Sequence, residues 1–337
     1  MLHMSSETAS SAVSDDTVRP DHIHAAWQSV AVIARPSVGW VRMRGTDRLD
    51  LLQRLTTNDL ASLRPGSGKH TVLLTDKARV IDVLAVLHDE HETMLLCSGG
   101  NAGRVRAWLR NYVIMDDVQV ADCSTEVTAI EWTGPHAPLA IRQILGIDAS
   151  TLPMCGWVDH AIDGAACRTI RIPSTCELSY LTILPAGKAD AVQTDMLPTL
   201  TPAEAEYLRV MGGMGRLGAE WTDAYNPLEA GLLHMVSFSK GCYIGQEVVA
   251  RLDTYNKVKQ RIMGIVSNAD IAPDDVIVIE GTDVGRVTSV VHGMTSATRY
   301  ALGYVRHEHA LADTAVTLRT AHGDASGTLA ALPMREA

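Results

Sequence analysis

The densest concentration of chemically able side chains lies in Lys240-Gly-Cys-Tyr-Ile-Gly-Gln-Glu-Val-Val-Ala-Arg251. This stretch holds a thiol (Cys242), a phenol (Tyr243), an amide (Gln246), a carboxylate (Glu247) and two cations (Lys240 and Arg251). Gly241 and Gly245 permit backbone angles or close approaches that a side chain forbids. From Gly245 onward the residues can start a helix, which sets Cys242 beside Lys240 and near a helix N-terminus. Positive charge and helix dipole both favour the thiolate, the form that attacks disulfides and ligates metals. The same spacing also fits a buried cysteine in a tight strand-to-helix turn, because free cysteine is among the most buried residue types.

A second cluster is Arg171-Ile-Pro-Ser-Thr-Cys-Glu-Leu-Ser-Tyr180. Glu177 falls among apolar strand residues, where an unpaired carboxylate is costly, so it calls for a partner. Arg171 or Arg168 can supply one structurally, and a ligand with paired N–H donors can supply one functionally. His22-x-His24 and His307-Glu308-His309 each lack a third ligand nearby and read as solvated pairs, so no metal site is expected. Walker, zincin and nucleophile-elbow motifs are absent from the sequence.

The elements that must position these groups follow from pattern. Gly39–Met43 reads as a strand, and Asp47 as the cap of a helix carrying Leu49, Leu52 and Leu55. Strands are expected at 71–74, 79–87 and 93–97, then a helix with Val105, Trp108, Leu109 and Tyr112 in its core-facing spacing. Strands at 118–121 and 127–132 lead through Gly134-Pro135 into a helix ending at Leu145. Strands at 165–172 and 178–184 bracket the Glu177 turn, and helices are expected at 187–196 and 202–211. This mixture of hairpins and single helices indicates an α+β class. Beyond Arg251, short β-rich runs at 262–266, 276–279, 284–291, 300–305 and 315–319 indicate a separate small β-barrel or sandwich. The division expected is a disordered tail over 1–20, a two-subdomain α+β region over 21–255 and a barrel over 256–330.

A chain of 337 residues is too long for one core. A net charge of −10 argues against direct nucleic-acid or acidic-membrane binding, and no apolar run approaches the ~20 residues that span a bilayer. The six cysteines show no C-x-x-C and no regular spacing, which points to a reducing cytoplasm rather than a disulfide framework.

Lys240-Gly-Cys-Tyr-Ile-Gly-Gln-Glu247 resembles the signature of the YgfZ-type folate-binding proteins, relatives of the T-protein (aminomethyltransferase) of the glycine cleavage system. Gly45-x-Asp47 with Leu52-Gln53-x-Leu55-Thr56-x-Asn58-Asp59, Asn226-Pro-Leu-Glu-Ala-Gly-Leu232, Val284-Gly-x-Val-Thr-Ser289 and Leu302-Gly-x-Val-Arg306 extend the resemblance over about residues 38–310. It implies a T-protein-like fold of three subdomains around a central opening, with tetrahydrofolate or a one-carbon derivative between the first two and a C-terminal β-barrel. It implies an accessory role in assembling or maintaining iron–sulfur clusters of client enzymes, tRNA-modifying enzymes among them, with Cys242 and Lys240 as the reactive pair. By motif position Glu177 matches the pterin-holding glutamate, Arg171 an arginine six residues before it, Arg209 the segment that holds the glutamyl tail, and Asp82 the region of the transfer aspartate. The glycine-rich turn of the T-protein is replaced by Pro173-Ser-Thr-Cys176, and its paired aspartates by Asp82 alone. Two other readings stand beside this one: a folate-dependent aminomethyl or one-carbon transferase, and a scaffold without folate.

Overall fold

The computed structural model describes residues 17–254, 258–294 and 297–334. Most of the expected tail and the expected boundary at 255/256 lie outside the described residues. Among the described residues the chain runs α1 (Pro20–Gln28), β1 (Ala31–Arg35), β2 (Gly39–Arg44), α2 (Arg48–Leu55), β3 (Ser67–Leu74), β4 (Val80–His88), β5 (Thr93–Cys97), α3 (Ala102–Arg110) and β6 (Gln119–Asp122). It continues with β7 (Val127–Thr133), α4 (Ala137–Leu145), β8 (Trp157–Ile162), β9 (Ala165–Ile172), β10 (Ser179–Pro185), β11 (Thr199–Leu200), α5 (Pro202–Met211) and α6 (Gln246–Thr254). The last part holds β12 (Gln260–Ser267), β13 (Val276–Ile279), β14 (Thr282–His292), β15 (Arg299–Arg306), β16 (Ala315–Thr320) and β17 (Gly323–Ala330).

Two sheets and a barrel result. One sheet has the order β3-β4-β5-β2-β6, the other β11-β1-β7-β10-β9-β8, and β12 to β17 close into a six-stranded barrel. Helices α2 and α3 cover the outer face of the first sheet through Leu51, Leu52, Leu55, Val105 and Leu109. Helix α4 covers the outer face of the second through Ala137, Ala140 and Ile141 against Trp132 and Tyr180. The inner faces meet through Trp40, Ala85, Leu87 and Met94 of the first sheet and Ala129, Ile170, Leu181 and Ile183 of the second. Strands buried on both faces read as continuous apolar runs, and β4 does so.

The α+β class and the barrel agree with the sequence pattern; several local expectations do not. The helix expected at 187–196 is one 3-10 turn, Ala189–Ala191, because Thr194 to Thr199 is needed to lead into β11 beside β1. Asp47 precedes α2 but makes no capping bond, since its Oδ2 accepts the Asp117 N–H at 2.8 Å. Strands β1, β8, β11 and β17 carry no clear signal of their own. β1 leaves the neighbouring β2 to join the second sheet, pairing with β7 and β11. β17 contains two glycines and is largely exposed along its length, yet it closes the barrel between β16 and β12.

Helix α5 joins the second sheet to the barrel. Thr201 and Glu204 form a reciprocal capping box at its start, and Arg19 locks the fully buried Glu204 carboxylate through Nε and Nη2. Its apolar face, Tyr207, Leu208, Val210 and Met211, packs on Ile23 and Ile33 and on Val291, Tyr300 and Leu302 of the barrel. A second tie is the stacking of Tyr225 on Tyr304, whose hydroxyl donates to the Glu220 carbonyl at 2.8 Å.

Candidate functional site

A cavity of about 1200 Å³ opens where the two sheets diverge. Ile33, Val83, Ala85, Leu96 and Ile172 supply apolar wall from the sheets. Residues 228–235 close one side, while α5, the 212–216 turn and Arg261 of β12 close the barrel side. Its charged groups stand on separate walls: Arg35 with Glu131, Glu206 with Arg209 and Arg216, then Glu229, Asp253 and Arg261.

Arg209 lines this cavity, but its guanidinium is already saturated. Nε and Nη2 donate to Glu206, Nη1 to Glu220 and the Met214 carbonyl, and Nη2 also to the Ser289 hydroxyl. Five donors are all that an arginine has. Glu220 is fully buried and also accepts from Thr288 and Ser289, so Arg209 fastens α5 to the barrel. Burial works against the Glu206 charge, yet Arg209 and Arg216 hold its pKa below the usual carboxylate value.

Asp82 sits behind the wall rather than in it. It is fully buried and accepts from Ser98 Oγ and Asn101 Nδ2 at 2.7 Å and from the N–H groups of Val83 and Ser98. Burial pushes its pKa up, with Asn101 and Ser98 opposing. These bonds pin the turn from β5 into α3, a structural use of the carboxylate.

Glu177 departs from its expected place. Thr175 to Glu177 form a bend in the expected turn, Glu177 adopts φ +59°, and the residue is exposed and not part of the cavity wall. β10 begins two residues later, at Ser179, and an exposed carboxylate has water as its partner. The candidate partners are engaged elsewhere: Arg171 donates to the Leu152 carbonyl, and Arg168 to Asp159 and Asp89.

The Lys240–Arg251 stretch packs on the first sheet. Lys240 is buried, and its ammonium donates to the carbonyls of Gln53, Thr56 and Asn58, each at 2.7 Å. It therefore caps the C-terminal end of α2 instead of facing the thiol, and burial draws its pKa down to about 8. Tyr243 lies in the core with Val72, Leu74 and Val249, 5.0 Å beneath the Lys240 ammonium. Gly245 has φ +79°, and a Cβ there would meet the Thr75 carbonyl oxygen at 2.9 Å, so glycine alone fits between α6 and the β3–β4 turn. Gln246 closes the turn into α6 by accepting the Tyr243 N–H, and Glu247 pairs with Arg251 at 2.7 Å on the exposed face. Gly241 and Cys242 are left at the exposed tip. Five cysteines are buried, and Cys242 is the exposed one. The reading of a buried cysteine is thereby set aside.

Pattern reading passed over several cavity groups. Glu131 interrupts the apolar strand Val-Thr-Ala-Ile-Glu-Trp-Thr, the signal that drew attention to Glu177. His70 lines the cavity with its ring against Cys155 Sγ, at 3.1 Å from Nδ1 and 3.5 Å from Nε2. Burial, reinforced by His234, lowers its pKa to about 4. A lone histidine in a strand gives no such signal.

Two face-to-face sheets, a cavity between them and a closed barrel docked through α5 define a three-part α+β protein with a central cavity. Residues 11–240 match the GCVT N-terminal domain and residues 260–334 the glycine cleavage T-protein C-terminal barrel domain; the chain belongs to the glycine cleavage T-protein family. Among its relatives, a chloroplastic protein of Arabidopsis thaliana named "putative transferase" is 29% identical over 90% of this chain and 71% of its own length. An aminomethyltransferase of Desulforamulus reducens is 25% identical over 84% of this chain and 80% of its own. The crystal structure of glycine cleavage system aminomethyltransferase T from Bartonella henselae superposes with a TM-score of 0.81, at 20% identity, over 94% of this chain and 90% of that one. No described helix is long and apolar enough to cross a membrane.

Proposed function

We propose that the protein binds tetrahydrofolate, or a one-carbon derivative, in the central cavity and acts through Cys242 as an accessory factor of the YgfZ type for iron–sulfur enzymes. The observation that carries this reading is the continuity of one segment. Residues 228–235 wall the cavity, and seven residues further on the chain presents Cys242 at the surface. α6 then returns to the cavity with Leu252 and Asp253. A ligand pressing on that wall is coupled to the loop that carries the thiol. An exposed thiol on a glycine-flanked tip can reach a metal or sulfur atom held by another protein.

The relatives' names favour a second reading, a folate-dependent transferase. Transfer at a folate nitrogen requires an acid or base within hydrogen-bond reach of the reacting atom. Asp82 spends its carboxylate on four internal bonds, which favours the accessory role. Titration calorimetry with tetrahydrofolate, followed by assay of Cys242→Ser in cells, tests the proposal. The variant is expected to fold and bind tetrahydrofolate as the wild type does, and to lose support of iron–sulfur enzymes under oxidative stress. Full support by Cys242→Ser refutes the role of the thiol, and methylenetetrahydrofolate formation abolished by Asp82→Asn establishes the transferase instead.

A further inference from the structure

We infer that the Arg35–Glu131 pair is the group that reads the ligand's heterocycle, by pairing with a 2-amino-4-oxo-pyrimidine edge such as that of a pterin. This assignment rests on the folate reading above and deepens it.

The pair is built on two adjacent strands of the second sheet. Ile33 of β1 is opposite Glu131 of β7, so Arg35 lies diagonally across from Glu131 on the same face. Both side chains line the cavity. Arg35 Nε donates to one carboxylate oxygen, Oε2, at 2.9 Å, and Nη2 lies 2.8 Å from the same oxygen. That leaves Oε1 accepting from no described residue and Arg35 Nη1 donating to none. The Glu131 side chain is only 13% exposed, so what reaches Oε1 comes through the cavity.

A cross-strand ion pair of this kind is often only a rim contact with both partners in water; here the Arg35 side chain is 41% exposed but that of Glu131 only 13%. Ile33, Ala34, Pro36, Ile172 and Pro173 of the adjoining cavity wall carry no polar side-chain atom. The free carboxylate oxygen presents an acceptor to the cavity, while its partner oxygen is held by the guanidinium. A 2-amino-4-oxo-pyrimidine edge presents the complement: adjacent N–H donors at the 2-amino group and N3, and the O4 acceptor. The Arg35 clamp fixes the carboxylate in place before the ligand arrives, so little side-chain entropy is lost on binding. Charge-assisted bonds of this kind also discriminate, because a ligand without the donor leaves the carboxylate unpaired in an apolar wall. The same position explains why the chain can dispense with Glu177, which faces solvent.

The test compares ligands and variants by titration calorimetry: tetrahydrofolate, its 2-desamino analogue and p-aminobenzoylglutamate, which lacks the ring. Wild-type protein is expected to prefer tetrahydrofolate to the 2-desamino analogue by tenfold or more. Glu131→Gln, which keeps size and shape, is expected to lose tenfold or more in tetrahydrofolate affinity and most of that preference. Its affinity for p-aminobenzoylglutamate should be unchanged. Arg35→Met should show the same pattern more weakly, and Glu177→Ala should match wild type. A thermal melt of each variant separates loss of fold from loss of recognition, and a variant that unfolds is replaced by reading the 2-desamino preference of the wild type alone. If wild type binds tetrahydrofolate and either lacks that preference or keeps it in Glu131→Gln, the assignment falls and the folate reading stands. If wild type binds no tetrahydrofolate, both fall.

Discussion

Replacing Lys240 by Met removes the ammonium and keeps the aliphatic stem, and the structure sets the size of the effect. Hydrogen bonds to a charged donor contribute roughly 1.5–3 kcal/mol each, and Lys240 makes three, all at 2.7 Å. Burial opposes them: the shift of its pKa from 10.5 to about 8 corresponds to about 3 kcal/mol at ~1.4 kcal/mol per unit. The cation also faces the negative end of α2, worth a further ~0.3–1 kcal/mol. Leaving three carbonyls without their donor should therefore destabilise the protein by about 2–7 kcal/mol. Urea unfolding followed by tryptophan fluorescence measures the loss, and amide exchange should show it concentrated in α2 and residues 56–58. If Lys240→Met instead unfolds within ~0.5 kcal/mol of wild type and still loses iron–sulfur support in cells, the ammonium serves the thiol chemically and the capping argument is wrong.

Two further outcomes follow from groups that touch the cavity. His70 is held neutral in the folded state with its pKa near 4, while the unfolded chain takes up a proton near 6.5. Stability should therefore fall as pH drops from 6.5 towards 4, by about 3 kcal/mol at ~1.4 kcal/mol per unit; His70→Gln should flatten that slope in urea titrations at pH 7 and pH 4.5, and equal slopes would exclude His70 as its source. Arg209→Met should leave the buried Glu220 carboxylate without its cation and cost about 3–5 kcal/mol; a variant as stable as wild type that loses only tetrahydrofolate affinity would mean that Arg209 serves the ligand and not the barrel junction.

Local signals that depend on nearest neighbours were legible in the sequence. Alternating and continuous apolar runs located most strands, Thr201 and Pro202 located the start of α5, and the Gly-rich turn before Gln246 located α6. The need for glycine at 245 was also legible as a possibility, although the close approach of the Thr75 carbonyl became visible only in three dimensions. The barrel could be anticipated from short strands at regular spacing, but its closure by β17 could not, because a Gly-Asp-Ala-Ser-Gly run has no apolar face to announce it.

Tertiary structure decided what the charged side chains do. Each of Lys240, Asp82 and Arg209 stands in a motif that suggests chemistry, and each is spent on internal partners. Lys240 reaches back nearly two hundred residues to the end of α2, and Arg209 reaches forward to Ser289 in the barrel. Glu177 and Glu131 differ in placement for the converse reason: a bend of a few residues before β10 leaves one carboxylate exposed, while the β1–β7 pairing holds the other, for which the sequence suggested no role, in the cavity wall. The sequence determined which chemical groups were available, because composition and motif are properties of the chain. Which groups remain free to meet a ligand depends on hydrogen-bond partners that only the fold brings within 3 Å, and of the candidates the chain supplies, that left Cys242 at the surface and the Arg35–Glu131 edge in the cavity.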